Sequence, residues 1–338
     1  MVPTKTGSTS SINNPPHDSK QFGQPTNPTG LHLKILVTGK NGQVGFELAR
    51  HLAATHRDLV SVGTTDCDLS KPAAIRYLIQ TIKPDVLINP AAYTAVDRAE
   101  SEPELAKAIN ADAPEVMASE LKKTGGLLIH FSTDYVFDGQ KATPYTELDA
   151  PNPQSVYGKT KLLGEKAITA SGVAHIILRT SWVFGSHGHN FLKTMLRLAA
   201  EREELRVVND QFGAPTSATF LAQTVTQMLG WLGRVRAGNQ EAKDLEALTG
   251  LYHCSCSGRT SWYDYAKCAI ELARTNGVKL KLQTNNLIPI SSSEYPTPAA
   301  RPANSVLDNT KLEKAFGIQR PDWQSQVEQV IQALNWQP

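Results

Sequence analysis

The run Leu33-Lys34-Ile35-Leu36-Val37-Thr38-Gly39-Lys40-Asn41-Gly42-Gln43-Val44-Gly45-Phe46-Glu47-Leu48-Ala49 begins as a β-rich hydrophobic stretch and ends in helical spacing. Between the two, Gly39, Gly42 and Gly45 recur at intervals of three. Without a Cβ, glycine lets the chain turn sharply, lets a ligand approach the backbone, and lets a helix pack closely on the preceding strand. A helix that starts there offers free N–H groups to phosphate oxygens. Strand, glycine turn and helix in this order point to a dinucleotide pyrophosphate site, although a turn serving only packing would use the same residues.

Outward from this turn the alternation continues. Strand-like runs recur at 59–63, 85–92, 126–133 and 174–180, separated by helical spacing at 72–82, 95–123 and 155–170. Apolar strands separated by helices predict a parallel sheet covered on both faces, a Rossmann-type doubly wound α/β domain over residues 31–180. Beyond residue 180 the regularity weakens. Helical spacing at 191–201, 219–232 and 261–275, a late strand at 251–257 and a loop over 287–304 suggest a smaller region over 181–338, from which the chain returns to the sheet around 215–257. Residues 1–30 are rich in Ser, Thr, Asn, Pro and Gly, and read as a flexible extension.

Composition removes several function classes. The 338 residues carry a formal net charge of +2 and no long Lys/Arg run, so nothing favours a nucleic acid or an anionic membrane surface. Cys67, Cys254, Cys256 and Cys268 form no CxxC pair and are too few for a disulfide scaffold. No apolar run approaches the ~20 residues needed to span a bilayer. A cytoplasmic protein is expected, with Cys254 and Cys256 as buried small hydrophobes and His187-Gly188-His189 as an inert loop.

Cofactor choice should be decided near the end of the second strand, where an acidic residue suits a ribose 2′-hydroxyl and a basic one a 2′-phosphate. Residues 62–66, Val-Gly-Thr-Thr-Asp, put neither type at the expected point, so NADH and NADPH both stay open. Asp68 can accept from an adenine amino group or can close a turn.

Tyr157 and Lys161 stand four apart at the start of a predicted helix and so share a face. A phenol has a reference pKa near ~10, and a neighbouring ammonium is expected to lower it. Tyr157 can then protonate an oxygen that becomes an alkoxide as hydride reaches its carbon, while Lys161 also holds the nicotinamide ribose. Such pairs are common on solvated helices, and the context singles this one out. It follows a nucleotide turn, and Ser132-Thr133-Asp134 ends an apolar strand, where ligands gather in parallel sheets. The Thr133 hydroxyl can bond the substrate oxygen. The segment Asn89-Pro90-Ala91-Ala92-Tyr93-Thr94 ends another strand and lets a ribose or nicotinamide pass close to backbone.

Together these residues resemble the extended short-chain dehydrogenase/reductase superfamily. The wording is closer still to its dTDP-4-dehydrorhamnose reductase family, in His130-Phe131-Ser132-Thr133-Asp134-Tyr135-Val136-Phe137, Val156-Tyr157-Gly158-Lys159-Thr160-Lys161-Leu162, Arg179-Thr180-Ser181-Trp182-Val183-Phe184 and Asn209-Asp210-Gln211-Phe212-Gly213-Ala214-Pro215-Thr216. The similarity runs from about Leu33 to the segment Arg301–Asp308. It implies NAD(P)H-dependent reduction of the C4 ketone of dTDP-4-dehydro-L-rhamnose, a step toward surface polysaccharide, with 181–338 as the nucleotide-sugar-binding part. It also implies Tyr157 as acid, Lys161 as its tuner and ribose ligand, and Thr133 as carbonyl partner. Gly42, Gln43 and Val44 then meet the pyrophosphate, Asp68 and Leu69 the adenine, and Ala91, Ala92 and Tyr93 the nicotinamide.

By the same resemblance Thr94, Val96, Thr133, Asp134 and Trp182 contact substrate, although Trp182 can equally be a buried ring packing the sheet edge. Phe212 is a candidate stacking surface for thymine within a segment that can also be a simple linking turn. Arg301 is a candidate diphosphate ligand or the partner of a surface carboxylate. Some members of the family are magnesium-dependent dimers, and Glu47 matches one such carboxylate, but an exposed helix glutamate is the simpler reading and no metal is expected. The chain is expected to act as a monomer or homodimer on a small molecule. Two other outcomes share the fold: a non-catalytic partner of methionine adenosyltransferase, against which the intact Tyr157, Lys161 and Thr133 argue, and an epimerase that retains NAD.

Overall fold

The computed structural model describes residues 33–236 and 245–334. The expected N-terminal extension lies outside them. Strand β1 (Ile35–Val37) leads through the glycine turn into α1 (Gln43–Ala53), followed by β2 (Leu59–Ser61), α2 (Pro72–Ile82) and β3 (Val86–Asn89). Three helical pieces, α3 (Val96–Ala99), α4 (Pro103–Lys107) and α5 (Ala113–Thr124), then lead to β4 (Leu127–Thr133), α6 (Val156–Ser171) and β5 (Ala174–Thr180).

The single helical stretch expected over 95–123 is therefore broken, and proline is the reason. Pro103 opens α4, and Pro114 stands in the first turn of α5. Proline has no N–H, so the carbonyl of Asn110, four residues earlier, receives no helical bond from it, and the backbone widens into a π-turn over Ala108–Asp112. Gly164 of α6 packs against that same Asn110 carbonyl, where a Cβ would collide.

After β5 the chain forms β6 (Val183–Phe184), α7 (Phe191–Glu201), β7 (Leu205–Val208), β8 (Phe212–Gly213), β9 (Thr216–Ser217) and the long α8 (Ala218–Arg236). Next come α9 (Leu245–Leu248), β10 (Gly250–His253), β11 (Thr260–Ser261), α10 (Trp262–Thr275), β12 (Leu287–Ile290), α11 (Thr310–Phe316) and α12 (Trp323–Leu334). The loop expected over 287–304 thus contains a strand. Leu287 to Ile290 pair in parallel with Leu205 to Val208, and Leu287 and Leu205 seal a small core with Ile270 and Leu282. Four residues interrupted by Pro289 are too few to show a period in the sequence, and burial against β7 supplies what propensity does not.

Six strands form the doubly wound sheet that the alternation predicts, in the order β2-β1-β3-β4-β5-β10, every neighbour pair parallel. Successive side chains drop to opposite faces. Ile35, Val37, Ile88, Ile129 and Leu178 join one hydrophobic cluster with α8 and α12, whereas Leu36, Leu87, Leu128 and Ile177 join another with α2 and α5. Strand order reverses between β1 and β3, which opens a crevice above their carboxyl ends, the place where ligands settle in such sheets. Among the described residues, no helix is long and apolar enough to cross a membrane.

Candidate active site

A cleft of about 680 Å³ lies above the carboxyl ends of β1, β3, β4 and β5. The glycine turn forms its floor at one end. Gly39 takes φ +64°, a left-handed conformation, and a Cβ at Gly45 would overlap the Gly39 carbonyl oxygen, so α1 can start only where a side chain is missing. Gln43, Val44, Ala91 and Ala92 complete this end of the wall. The residues fit a dinucleotide: the cradle is backbone, it sits at a helix N-terminus, and Ala91 is the small side chain facing Gly39.

At the other end of the cleft stand Thr94, Val96, Thr133, Asp134, Tyr157, Lys161 and Trp182. Ser155 caps α6 by accepting from the Gly158 N–H at 3.1 Å, which fixes the turn that carries Tyr157 and Lys161. Gly158 lies so close to the Tyr135 carbonyl that a Cβ would collide, so α6 packs tightly against the end of β4. The Thr133 hydroxyl bonds the Tyr157 phenol and donates to Asp134 Oδ1 at 3.0 Å. The Tyr135 ring meets Tyr157 edge-on, with centroids 5.5 Å apart.

The electrostatics differ from expectation. Tyr157 is partly open to the cleft, yet protein on its other sides pushes its phenol well above 10, with the Thr133 bond acting the opposite way. Lys161 does not lower it: the Lys161 ammonium donates to the Phe131 carbonyl at 2.6 Å and lies 3.2 Å from His130 Nε2. Burial lowers Lys161 itself to about 8 and raises Asp134 to about 6. A phenol held above 10 keeps its proton at neutral pH and still yields it to an alkoxide, which is far more basic.

Several expected contacts fall off the cleft wall. Asp68 spends Oδ1 on Ser70, accepting from its N–H at 2.9 Å and its hydroxyl at 2.7 Å, and so closes a turn. Leu69 packs toward the α2 side of the sheet. Tyr93 is held through its backbone, which exchanges bonds with the Asn110 carboxamide at 2.8 and 3.1 Å, while its hydroxyl donates to Glu102. Phe212, the expected stacking surface, lines neither large cavity, and the Arg259 guanidinium covers one face of its ring at 3.7 Å. Glu47 is buried rather than exposed, its carboxylate gripped by Arg50 at 2.7 Å. Among the described residues, no group of three His, Cys, Asp or Glu side chains is placed to hold a metal ion.

Other residues reach the site unannounced. Gly188, His189 and Asn190 form part of the cleft wall, so the loop read as inert is a strap over the glycine turn. His187 Nε2 lies 3.0 Å from the Asn41 carbonyl, its ring stacks on Phe46 at 4.1 Å, and Asn190 donates to Gln43 Oε1 at 2.9 Å. A second cavity, of about 710 Å³, is lined by Phe191, Trp262, Arg202, Arg206, Tyr135 and Arg301 among others. Tyr135 borders both cavities. Arg301 pairs with Asp97 at 2.8 Å and also bonds Tyr135. Trp182 faces the cleft and stacks on Trp262 with centroids 3.5 Å apart. The buried thiols of Cys254 and Cys256, pushed up to about 12, belong to the core.

Residues 33–336 match the family model described as RmlD substrate binding domain. The chain belongs to this family. A relative from Burkholderia thailandensis named dTDP-4-dehydrorhamnose reductase is 46% identical over 291 residues, covering 86% of this chain and 95% of its own length. A solved dTDP-4-dehydrorhamnose reductase structure from Clostridium acetobutylicum superposes with a TM-score of 0.80 at 38% identity, over 90% of this chain and all of that one. Another, from Bacillus anthracis and in complex with NADP, has a TM-score of 0.79 at 32% identity, again over 90% of this chain and all of its own. The family match spans the sheet, the cleft and the second cavity.

Proposed function

We propose that this chain reduces the C4 ketone of dTDP-4-dehydro-L-rhamnose to the alcohol, using NADPH or NADH. The observation that carries the reading is the meeting, in one cleft, of a backbone pyrophosphate cradle with Tyr157, Thr133 and Lys161. Its support in family is the near-full-length similarity to reductases of that name.

The bound dinucleotide supplies hydride to the carbonyl carbon. The protein's residues handle the oxygen: Thr133, its one hydroxyl proton turned from Asp134 to the substrate, donates to it and fixes its position, and Tyr157 delivers the proton as negative charge develops. Lys161 contributes positive charge beside the ribose position and takes part in holding the dinucleotide. Gly39, Gly42, Gln43, Val44 and Gly45 hold the pyrophosphate, with Ala91 and Ala92 beside the nicotinamide. Thr94, Val96, Asp134 and Trp182 shape the sugar pocket. Arg301, which lines the second cavity and bonds Tyr135 at its border with the cleft, suits the diphosphate, and the second cavity, with Phe191, Trp262 and its arginines, suits the thymidine end. A cytoplasmic location goes with this reading, and the four cysteines are all free thiols.

The test is direct. Purified protein with NADPH or NADH and the labile ketosugar, generated in place by an epimerase, should consume the reduced dinucleotide and form dTDP-L-rhamnose. Absence of turnover with both dinucleotides would sink the reading.

A further inference from the structure

In sheets of this kind the adenosine ribose of a dinucleotide meets the end of the second strand. Here that end is Val62-Gly63, which has no charged side chain of its own. The fold supplies charge from two other places. β1 and β2 are parallel neighbours, and the glycine turn that leaves β1 crosses the end of β2, where the Lys40 N–H donates to the Val62 carbonyl at 3.1 Å. A Cβ at Gly63 would stand 3.5 Å from Lys40 Cε and 3.0 Å from Asn41 Nδ2, so both side chains lie across the glycine. The turn after Gly63 folds Asp66 back to the same point, its N–H donating to the Gly63 carbonyl at 3.0 Å. Asn41, Gly63 and Thr64 belong to the cleft wall.

Lys40 and Asp66 meet there. The Lys40 ammonium lies 2.7 Å from Asp66 Oδ2, and the same oxygen accepts from the Gly63 N–H at 2.8 Å. These two bonds, the one from Lys40 first, hold the Asp66 carboxyl below the usual carboxylate range, so the pair is ionised at neutral pH. The two side chains are exposed, at 38% and 40%, and an ion pair so open to water exchanges partners at little cost. Its two members suit different ligands. A lysine ammonium is a compact charge that takes a phosphate, whereas a ribose 2′-hydroxyl needs an acceptor, which a carboxylate provides.

We propose that the Lys40–Asp66 pair selects the dinucleotide: Lys40 leaves Asp66 to bind the 2′-phosphate of NADPH, and Asp66, with the pair intact, accepts from the 2′-hydroxyl of NADH. The inference rests on the functional reading above and adds to it the residues that set the cofactor choice. Asp68 does not substitute for Asp66, because its Oδ1 is taken by the Ser70 N–H and hydroxyl. The pair lies by the glycine turn, at the end of the cleft away from Tyr157, so it acts on binding and not on proton delivery.

The test is calorimetric titration of the full chain with NADPH and with NADH, repeated with adenosine 2′,5′-bisphosphate and 5′-AMP as probes of the adenosine half alone. Lys40→Met keeps the stem and removes the charge; it should weaken NADPH by about tenfold or more and leave NADH within about twofold. Asp66→Asn keeps an acceptor for the Gly63 N–H and removes the competing charge, so the ratio of affinities should move the other way, by about threefold toward NADPH. The bisphosphate and 5′-AMP should repeat both shifts. Should Lys40→Met not fold, Lys40→Gln gives the same comparison. A purely structural pair would move both dinucleotides together, and a ratio unchanged in the Lys40 variant, or moved in the same direction by both substitutions, would overturn the proposal. Binding is read without ketosugar: wild type that binds the dinucleotides yet reduces no ketosugar refutes the functional reading, whereas active wild type with an unmoved ratio in the variants refutes only the role of the pair.

Discussion

Glu165 and Arg179 form a two-bond ion pair inside the protein, with Nε to Oε1 at 2.9 Å and an Nη to Oε2 at 2.6 Å. The Ser132 hydroxyl adds a third bond to Glu165 at 2.5 Å, and Arg179 lies over the Phe137 ring at 5.0 Å. The pair ties α6 to β5 and β4 directly under the catalytic turn. Breaking one member leaves a buried charge without its partner, which costs ~3–5 kcal/mol. Glu165→Gln should therefore lose roughly that much stability in urea unfolding, and Glu165→Met combined with Arg179→Met should lose less than the single change. A single variant as stable as wild type would show that the pair is dispensable to the fold.

Tyr157→Phe removes the proton donor and keeps the ring. Turnover should drop by ~10²–10⁴-fold, with dinucleotide affinity, measured by fluorescence titration, near that of wild type. Undiminished turnover would remove Tyr157 from the mechanism.

Gly45→Ala places a methyl group against the Gly39 carbonyl oxygen, which is backbone and cannot swing away. The turn must open, so dinucleotide binding should weaken by at least about tenfold. Calorimetric titration with NADPH checks this, and wild-type affinity would show that the turn is not the cradle.

Trp182 carries φ +48°, its indole stacks on Trp262, and Gly213 leaves room for its ring. Trp182→Ala removes the cleft face of this stack. It should raise KM for the sugar nucleotide by roughly tenfold, equivalent to ~1.4 kcal/mol, and leave KM for the dinucleotide nearly unchanged. Equal changes in both would mean that Trp182 holds the scaffold and not the sugar.

His253, buried with Nδ1 3.0 Å from the Tyr145 carbonyl, is held down to about 3 by burial and by the Arg179 charge. Its folded-state pKa lies below the unfolded value of ~6.5, so its neutral form stabilises the fold above that pH. As pH falls from ~6.5 toward 3, the unfolded chain binds a proton that the folded chain refuses, and by pH 4 the loss is on the order of 3 kcal/mol. His253→Gln should flatten the decline of Tm over this window. An unchanged slope would assign acid sensitivity to other groups.

Much of the architecture was readable because it is local. The glycine spacing, the period of α6 and the apolar β4 run each express a rule acting over a few residues, and the cleft gathers Gly42, Thr133, Tyr157 and Lys161 as that reading requires. The misreadings had local causes too. Pro114 broke a helix whose apolar period continued through it, and Leu287–Ile290 became a strand through its partner rather than its composition. Glu47 looked solvated because its helix carries Arg50 and His51, which in fact cover it.

What the sequence determined alone was the alternation of strands and helices up to residue 180, the turn that can approach a pyrophosphate, and the spacing that puts Tyr157 and Lys161 on one face. Tertiary structure decided the rest: that Lys161 faces His130 instead of the phenol, that the His187–Asn190 strap covers the glycine turn, that Arg259 occupies Phe212, and that a second cavity meets the first at Tyr135. Periodicity and backbone conformation are set by neighbours along the chain. Burial and hydrogen-bond partners, which set charge state and orientation, are set by segments that meet only after the sheet has formed.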